Sequence, residues 1–191
     1  MIACDCAVCR STDSHDRRTR ASILIEHQPS AGAAPFSLLV DTSTDLRAQA
    51  LANHIRRVDA ILFTHGHADH IMGFDEVRRF NVLQKSAMPC FADAHTAADL
   101  RRAFSYVFRD GPSAGGGIPQ VSLFEIGGPF CLGGLEVVPV PLLHGPRPIL
   151  GFRIGDFAYL TDCSAIPDRS WPLLEGVKTL NTMVHSWSGK A

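Results

Sequence analysis

The apolar run "VDAILFT" (58 to 64) feeds directly into "HGHADH" (65 to 70). A buried strand ending in a ligand-rich loop constrains this chain more than any other feature, because α/β folds place chemistry at the C-terminal ends of strands. Four side chains able to hold a metal fall within this short loop: His65, His67, Asp69 and His70. Their spacing does not fit one helical face, unlike the i, i+4 pair of a helical zinc-protease motif. On an extended loop, residues 65 and 67 point to one side, while 69 and 70 turn toward a neighbouring point. The pattern then gives two imidazoles to one cation, and a carboxylate with an imidazole to a second. Imidazole suits Zn, Fe and Ni, and carboxylate oxygen also admits Mn. Gly66 and Ala68 leave the loop room to fold around ions. Solvent-exposed loop polars are the ordinary alternative, and it is the weaker one for so many ligands behind a buried strand.

The flanking sequence supplies a mixed α/β frame. "ASILIEH" (21 to 27) and "FSLLVD" (36 to 41) are β-type runs separated by a Pro/Gly/Ala loop, and "TSTDLRAQALANH" (42 to 54) predicts a helix capped by Ser43 or Thr44. "FDEVRRFNVLQK" (74 to 85) predicts a helix with Phe74, Val77, Phe80 and Leu83 along its buried face. "MPCFAD" is a short strand, "AHTAADLRRAFSYVF" a helix, and residues 109 to 119 a Gly-rich loop. β patterns follow in "QVSLFEI", "PFCLG", "LEVVPVPLLH", "ILGFRI" and "DFAYLTD", then a turn and short helix in "IPDRSWPLLEG". Interleaved strands and helices followed by hairpin-like strands make a layered α/β fold. Two late strands end on ligand-capable residues, His144 and Asp162.

Charge and cysteine content narrow the partners. The formal charge is −1, and no basic arm stands out, which counts against a polyanionic partner such as nucleic acid. Arg17, Arg18 and Arg20 form one short basic run, read as a solvated approach to a strand. Nothing approaches the ~20 apolar residues of a membrane span, and "MIACDCAVCR" has no features of a signal peptide, so a cytoplasmic location is expected. In a reducing compartment clustered cysteines are metal ligands more often than disulfides. Cys4, Cys6 and Cys9 supply three thiolates, one short of a closed tetrahedral zinc site. Cys90, Cys131 and Cys163 lie in apolar strand contexts and are expected in the core.

"THGHADH", the strand-terminal His144 and "YLTD" together resemble the metallo-β-lactamase superfamily of binuclear metallohydrolases. With Cys4-Asp5-Cys6-Ala7-Val8-Cys9 in front, the chain is similar to its phosphoribosyl cyclic phosphate phosphodiesterase subfamily, from residue 3 to about residue 180. The resemblance implies an αββα sandwich in which His65, His67 and His144 hold a first metal. Asp69 and His70 would hold a second, Asp162 would bridge the two, and Asp69 and Asp162 would belong to the catalytic machinery. It further implies a metal-bridging water or hydroxide as nucleophile, Zn or Mn as the two catalytic ions, and one structural Zn on the cysteine segment (1–10). Asp41 matches a family position that supports the histidine loop; a plain loop or cap aspartate is the equal alternative. The implied substrate is a small phosphodiester, phosphoribosyl 1,2-cyclic phosphate first, with Arg147 or Arg153 available to pair with phosphate; Arg153 is equally readable as a structural strand residue. RNA processing and a non-catalytic metal-binding remnant are the alternatives.

The chain departs from that family at both ends. The family opens with a strand and a glycine-rich turn before the cysteines, and continues after "VKTL" (177 to 180) into a strand, a helix and a strand ending in a histidine. Here residues 1–180 are read as the domain and "NTMVHSWSGKA" (181–191) as an unstructured or aberrant tail. The sandwich is therefore expected to be incomplete, the chain a fragment, and the second metal one ligand short. His185 is read as a solvated tail residue rather than the missing ligand, and a homodimer that makes up the missing pieces stays open.

Overall fold

A computed structural model describes residues 3–109 and 117–182. The centre of the expected glycine loop and His185 lie outside the described residues. Within them, a short helix α1 (Ala7–Arg10) carries the cysteine segment, and a 3-10 turn at Ser14–Asp16 follows. The first half of the chain then runs β1 (Ile23–His27), β2 (Phe36–Val40), α2 (Leu46–Ala52), β3 (Ala60–Leu62), α3 (Ala68–Ile71), α4 (Val77–Gln84), β4 (Met88–Ala92), α5 (Ala94–Ala103) and β5 (Val121–Glu125). The second half is β6 (Phe130–Leu132), β7 (Leu135–His144), β8 (Arg147–Ile154), β9 (Phe157–Leu160), a 3-10 helix at Asp168–Leu174 and β10 (Thr179–Thr182).

These strands form two five-stranded sheets, ordered β1-β2-β3-β4-β5 and β10-β9-β8-β7-β6. In the first, β1 is antiparallel to β2 and the rest are parallel; in the second only β9 and β10 are parallel. The two-residue period of a strand explains how one run serves two layers. Leu38, Val40, Ala60 and Leu62 face the second sheet and meet Val137, Phe152, Ile154 and Tyr159 in the inter-sheet core. Leu39 and Ile61, one residue out of phase, face the helices and meet Leu46, Phe74, Val77, Phe80, Leu100 and Phe104. On the far side of the second sheet, Val140, Leu142, Ile149, Ala158 and Leu160 pack under Leu173 and Leu174 of the 3-10 helix. The layers are thus helices, sheet, sheet and a 3-10 cover, an αββα order whose last layer is thin.

Several local expectations are corrected. Residues 68–71 are a helical turn rather than extended loop, with extended His67 as its N-cap. Helix α2 starts after Asp45, and Ser43 serves it from two residues further out by accepting the Asp45 N–H on its hydroxyl. On α4, Phe80 is buried but Leu83 is exposed. Cys90 is buried, whereas Cys163 is half-buried and Cys131 is exposed on β6. Asn181 and Thr182, read as tail, complete β10 in register with Tyr159 and Leu160. Among the described residues no helix is long and apolar enough to cross a membrane.

Candidate metal centre

The ligand-capable residues gather at one end of the sandwich, where strands of both sheets run out. Asp41 follows β2, Thr64 and His65 follow β3, His144 ends β7, and Asp162 follows β9. A backbone bond from Leu150 N–H to the Thr64 carbonyl (3.0 Å) ties the two sheets together here. The histidine loop is held from behind: Thr42 donates its hydroxyl to the Ile71 carbonyl at 3.1 Å, and Gly73 N–H donates to the Thr42 carbonyl at 2.9 Å. Any Cβ at Gly73 would run into the Ser43 carbonyl, and one at Gly66 would run into the Asp99 carboxylate. The loop therefore uses glycine at 66 to admit α5 against it.

Two overlapping groups result. One ligand atom each from His65, His67 and His144 lie within 4.8 Å of one another, as do those of His65, His70 and Asp162. Both groups are half-buried or buried. Two ring nitrogens, His65 Nε2 and His67 Nδ1, face each other at 3.1 Å. Burial, with the neighbouring His70 and His67, pushes the His65 pKa down to about 3, so its lone pair is available for coordination at neutral pH. His67 is also lowered, by burial and the nearby Arg147. Three converging imidazoles, of which His65 and His67 are biased toward neutrality, fit a borderline-soft divalent cation.

His70 sits differently. Its Nδ1 faces Asp41 Oδ2 at 2.8 Å, and its Nε2 faces Asp162 Oδ2 at 3.1 Å. Burial opposes its protonation, but the hydrogen bonds to Asp162 and Asp41 override that and lift its pKa to about 10. The His70 hydrogen bond, against the opposing effect of burial, holds Asp162 well below the usual carboxylate range. Asp41 is fully buried and also accepts from Thr64, through the backbone N–H at 2.8 Å and the hydroxyl at 2.7 Å. Asp41 therefore touches the histidine loop directly, as a supporting residue does, and does not cap a helix. Asp41 and Asp162 both have left-handed backbone, φ 63° and 53°. Strain of this kind concentrates at functional sites.

Of the residues expected from sequence, His65, His67, His70, His144 and Asp162 are brought together, and Asp69 is not. The Asp69 carboxylate pairs with Arg20 Nη1 at 3.3 Å and is partly exposed. Arg153 is structural, donating to the Gly155 and Leu173 carbonyls; Arg147 pairs with Asp99 beside the centre. The Cys4, Cys6 and Cys9 sulfurs also lie within 4.8 Å of one another. The backbone N–H of Cys9, with the neighbouring thiols, lowers the Cys6 pKa to about 7. Sequence reasoning gave no role to Thr64, although it opens the "THGHADH" motif, and did not connect Arg20 or Asp99 to the centre, because folding alone brings those two there.

A family model described as a beta-lactamase superfamily domain matches residues 37–189. A Porphyromonas gingivalis (strain ATCC BAA-308 / W83) protein named octanoyltransferase is 37% identical over 181 residues, covering 94% of this chain and 35% of that protein. The crystal structure of a new diphosphatase from the PhnP family superposes with a TM-score of 0.81 at 40% identity, covering 94% of this chain and 65% of that one. Zn(2+)-bound PqqB from Methylobacterium extorquens gives 0.62 at 19% identity, covering 94% and 66%. The last likeness concerns the fold alone. The chain spans about a third of the curated relative and about two thirds of the two solved chains.

Proposed function

The chain belongs to the beta-lactamase superfamily, and from that premise we propose that it is a metal-dependent hydrolase of phosphodiester bonds in small phosphorylated molecules. The observation that carries this proposal is the convergence of two overlapping ligand groups, His65/His67/His144 and His65/His70/Asp162, at one end of the sandwich. Likeness to a PhnP-family diphosphatase at 40% identity supports phosphoryl chemistry over the other substrates of the superfamily. Within that class, phosphoribosyl 1,2-cyclic phosphate is the first substrate to try.

His65, His67 and His144 would hold one divalent cation, Zn or Mn. His70 and Asp162 would hold a second, with Asp162 shared between them and Asp69 the remaining candidate ligand. Cations held there would supply Lewis acidity and a lowered pKa for bound water. The chain's own residues prepare that centre. Asp41 accepts from His70 Nδ1, which keeps Nε2 directed at the cation side. Thr64 anchors Asp41 through two hydrogen bonds and so fixes the geometry from behind. A separate zinc would sit on Cys4, Cys6 and Cys9, outside the catalytic chemistry.

The test is hydrolysis of bis-p-nitrophenyl phosphate by the chain loaded with Zn or Mn, alongside metal analysis. Release of p-nitrophenol that requires metal and is abolished in His67→Ala is the expected result. A chain that holds its metals and releases none would overturn the proposal in favour of a non-catalytic remnant. The octanoyltransferase name belongs to a protein about three times longer than the matching region; metal-independent transfer or hydrolysis of an octanoyl thioester would count for that activity instead.

A further inference from the structure

Beside the centre, α5 and the start of β8 enclose a cleft of about 380 Å³ lined by His95, Ala98, Asp99, Arg102, Arg147 and Pro148. That volume lies in the range of small-molecule sites, about 300–1,000 Å³. His95, Asp99 and Arg102 are spaced i, i+4, i+7 on α5 and so share one face of the helix. Arg147 comes from the other wall and is the register partner of His144. Asp99 is the pivot. Its side chain is only 12% exposed and takes Arg102 on Oδ1, at 2.5 Å, and Arg147 on Oδ2. It also packs against Gly66 of the histidine loop.

One carboxylate cannot neutralise two guanidinium groups, so the cleft retains a positive charge. Each guanidinium has five N–H donors, and the contact to Asp99 occupies one nitrogen of each. Arg147 stays 36% exposed and Arg102 78%. Arg147 lies beside His144, its register partner, and among the described residues Asp99 is the one side-chain acceptor of either guanidinium. Such a pair, pinned by one partly buried carboxylate, is preorganised for a planar or tetrahedral oxyanion.

We infer that this cleft is an anion subsite, in which Arg147 and Arg102, positioned by Asp99, bind a second phosphoryl group that the substrate carries away from its scissile bond. The identity of the ligand as a phosphorylated small molecule rests on the phosphodiesterase proposal; the site itself rests on the cleft. The subsite selects diesters that carry a remote phosphate over diesters that lack one.

Inorganic phosphate is the probe, titrated into the zinc-loaded full chain while the Nε–Hε signals of Arg102 and Arg147 are followed by NMR. Both signals shift and saturate together in the wild-type chain. In Arg102→Ala the midpoint read at Arg147 rises about tenfold, the loss of one charge-assisted contact; Arg102 is mostly exposed, so the fold is retained. Arg147 signals that stay still at saturating phosphate, or a midpoint unchanged in Arg102→Ala, overturn the subsite. The titration reads binding whether or not turnover occurs. A chain that binds phosphate here but leaves bis-p-nitrophenyl phosphate intact keeps the subsite and refutes the phosphodiesterase proposal, and the opposite pattern does the reverse.

Discussion

Replacing Asp41 with Asn separates support of the fold from support of the metal centre. The Asp41 carboxylate accepts two bonds from Thr64 and one from His70 Nδ1, all within 2.8 Å, with no exposure to solvent. Asn has nearly the same volume and still accepts the Thr64 N–H through its oxygen. Its amide then stands where Oδ2 stood, as a donor facing His70. Neutral His70, the form that ligates a cation, can meet a donor only by moving its proton to Nε2, the nitrogen directed at Asp162 and the cation side. The expected loss of affinity for one of the two cations is about 10–100-fold, or about 1.4–2.7 kcal/mol. Unfolding of the metal-free chain becomes easier by about 1–3 kcal/mol from the weakened charged bonds. Asp41→Ala costs more, about 3–5 kcal/mol, because it strands a buried charged partner, and Ala must also adopt φ 63°. Competition against a chromophoric chelator reads the first quantity and urea unfolding without metal reads the second. Should Asp41→Asn keep both cation affinities while losing only stability, the tautomer argument is wrong and Asp41 acts through packing alone.

Three further outcomes follow from the same geometry. In the metal-free chain the folded pKa of His70, about 10, lies above its ordinary 6.5. Its stabilisation is therefore full below pH 6.5 and fades as pH rises through 10, a decline to be seen in urea midpoints between those values and absent from His70→Gln. Gly66→Ala drives a methyl into the Asp99 carboxylate; a destabilisation of about 1–3 kcal/mol and weaker metal binding are expected, measured by unfolding and by the same chelator. Cys6→Ser removes the thiol with the lowered pKa, about 7, and should reduce bound zinc by about one ion per chain while leaving the metals of the histidine centre in place, as read by metal analysis.

The strands and their ends were legible because burial writes itself into the chain. β3 and the Leu38–Val40 part of β2 carry continuous apolar runs since both of their faces are covered, Leu39 and Ile61 by helices and Leu38 and Leu62 by the opposite sheet. His65, His144 and Asp162 were legible as the residues on which such runs stop. Residues joined by folding alone were not. Arg20 lies 49 positions from Asp69, and Asp99 lies 48 from Arg147, separations with no local signature. Leu83 fits the apolar period of α4 yet lies at the rim of the helix layer, because periodicity marks a face without saying how far the neighbouring layer extends. Cys131 is exposed for a related reason: β6 is an edge strand of its sheet.

The two aspartates in left-handed backbone explain why this centre needs a two-sheet frame. Asp41 belongs to one sheet and Asp162 to the other, and they grip His70 from opposite nitrogens. Each such conformation costs about 1–3 kcal/mol, and neither strand end would hold it alone. The cost is offset by buried hydrogen bonds that exist only while the sheets keep their separation. That separation is set by Leu38, Val40 and Leu62 against Phe152 and Tyr159, with the Leu150–Thr64 backbone bond at the rim. On the proposed reading metal affinity and inter-sheet packing are coupled: a cation held between His65, His70 and Asp162 would link the sheets where both aspartates adopt left-handed backbone, and loosening the core between them would move the ligands of both groups apart.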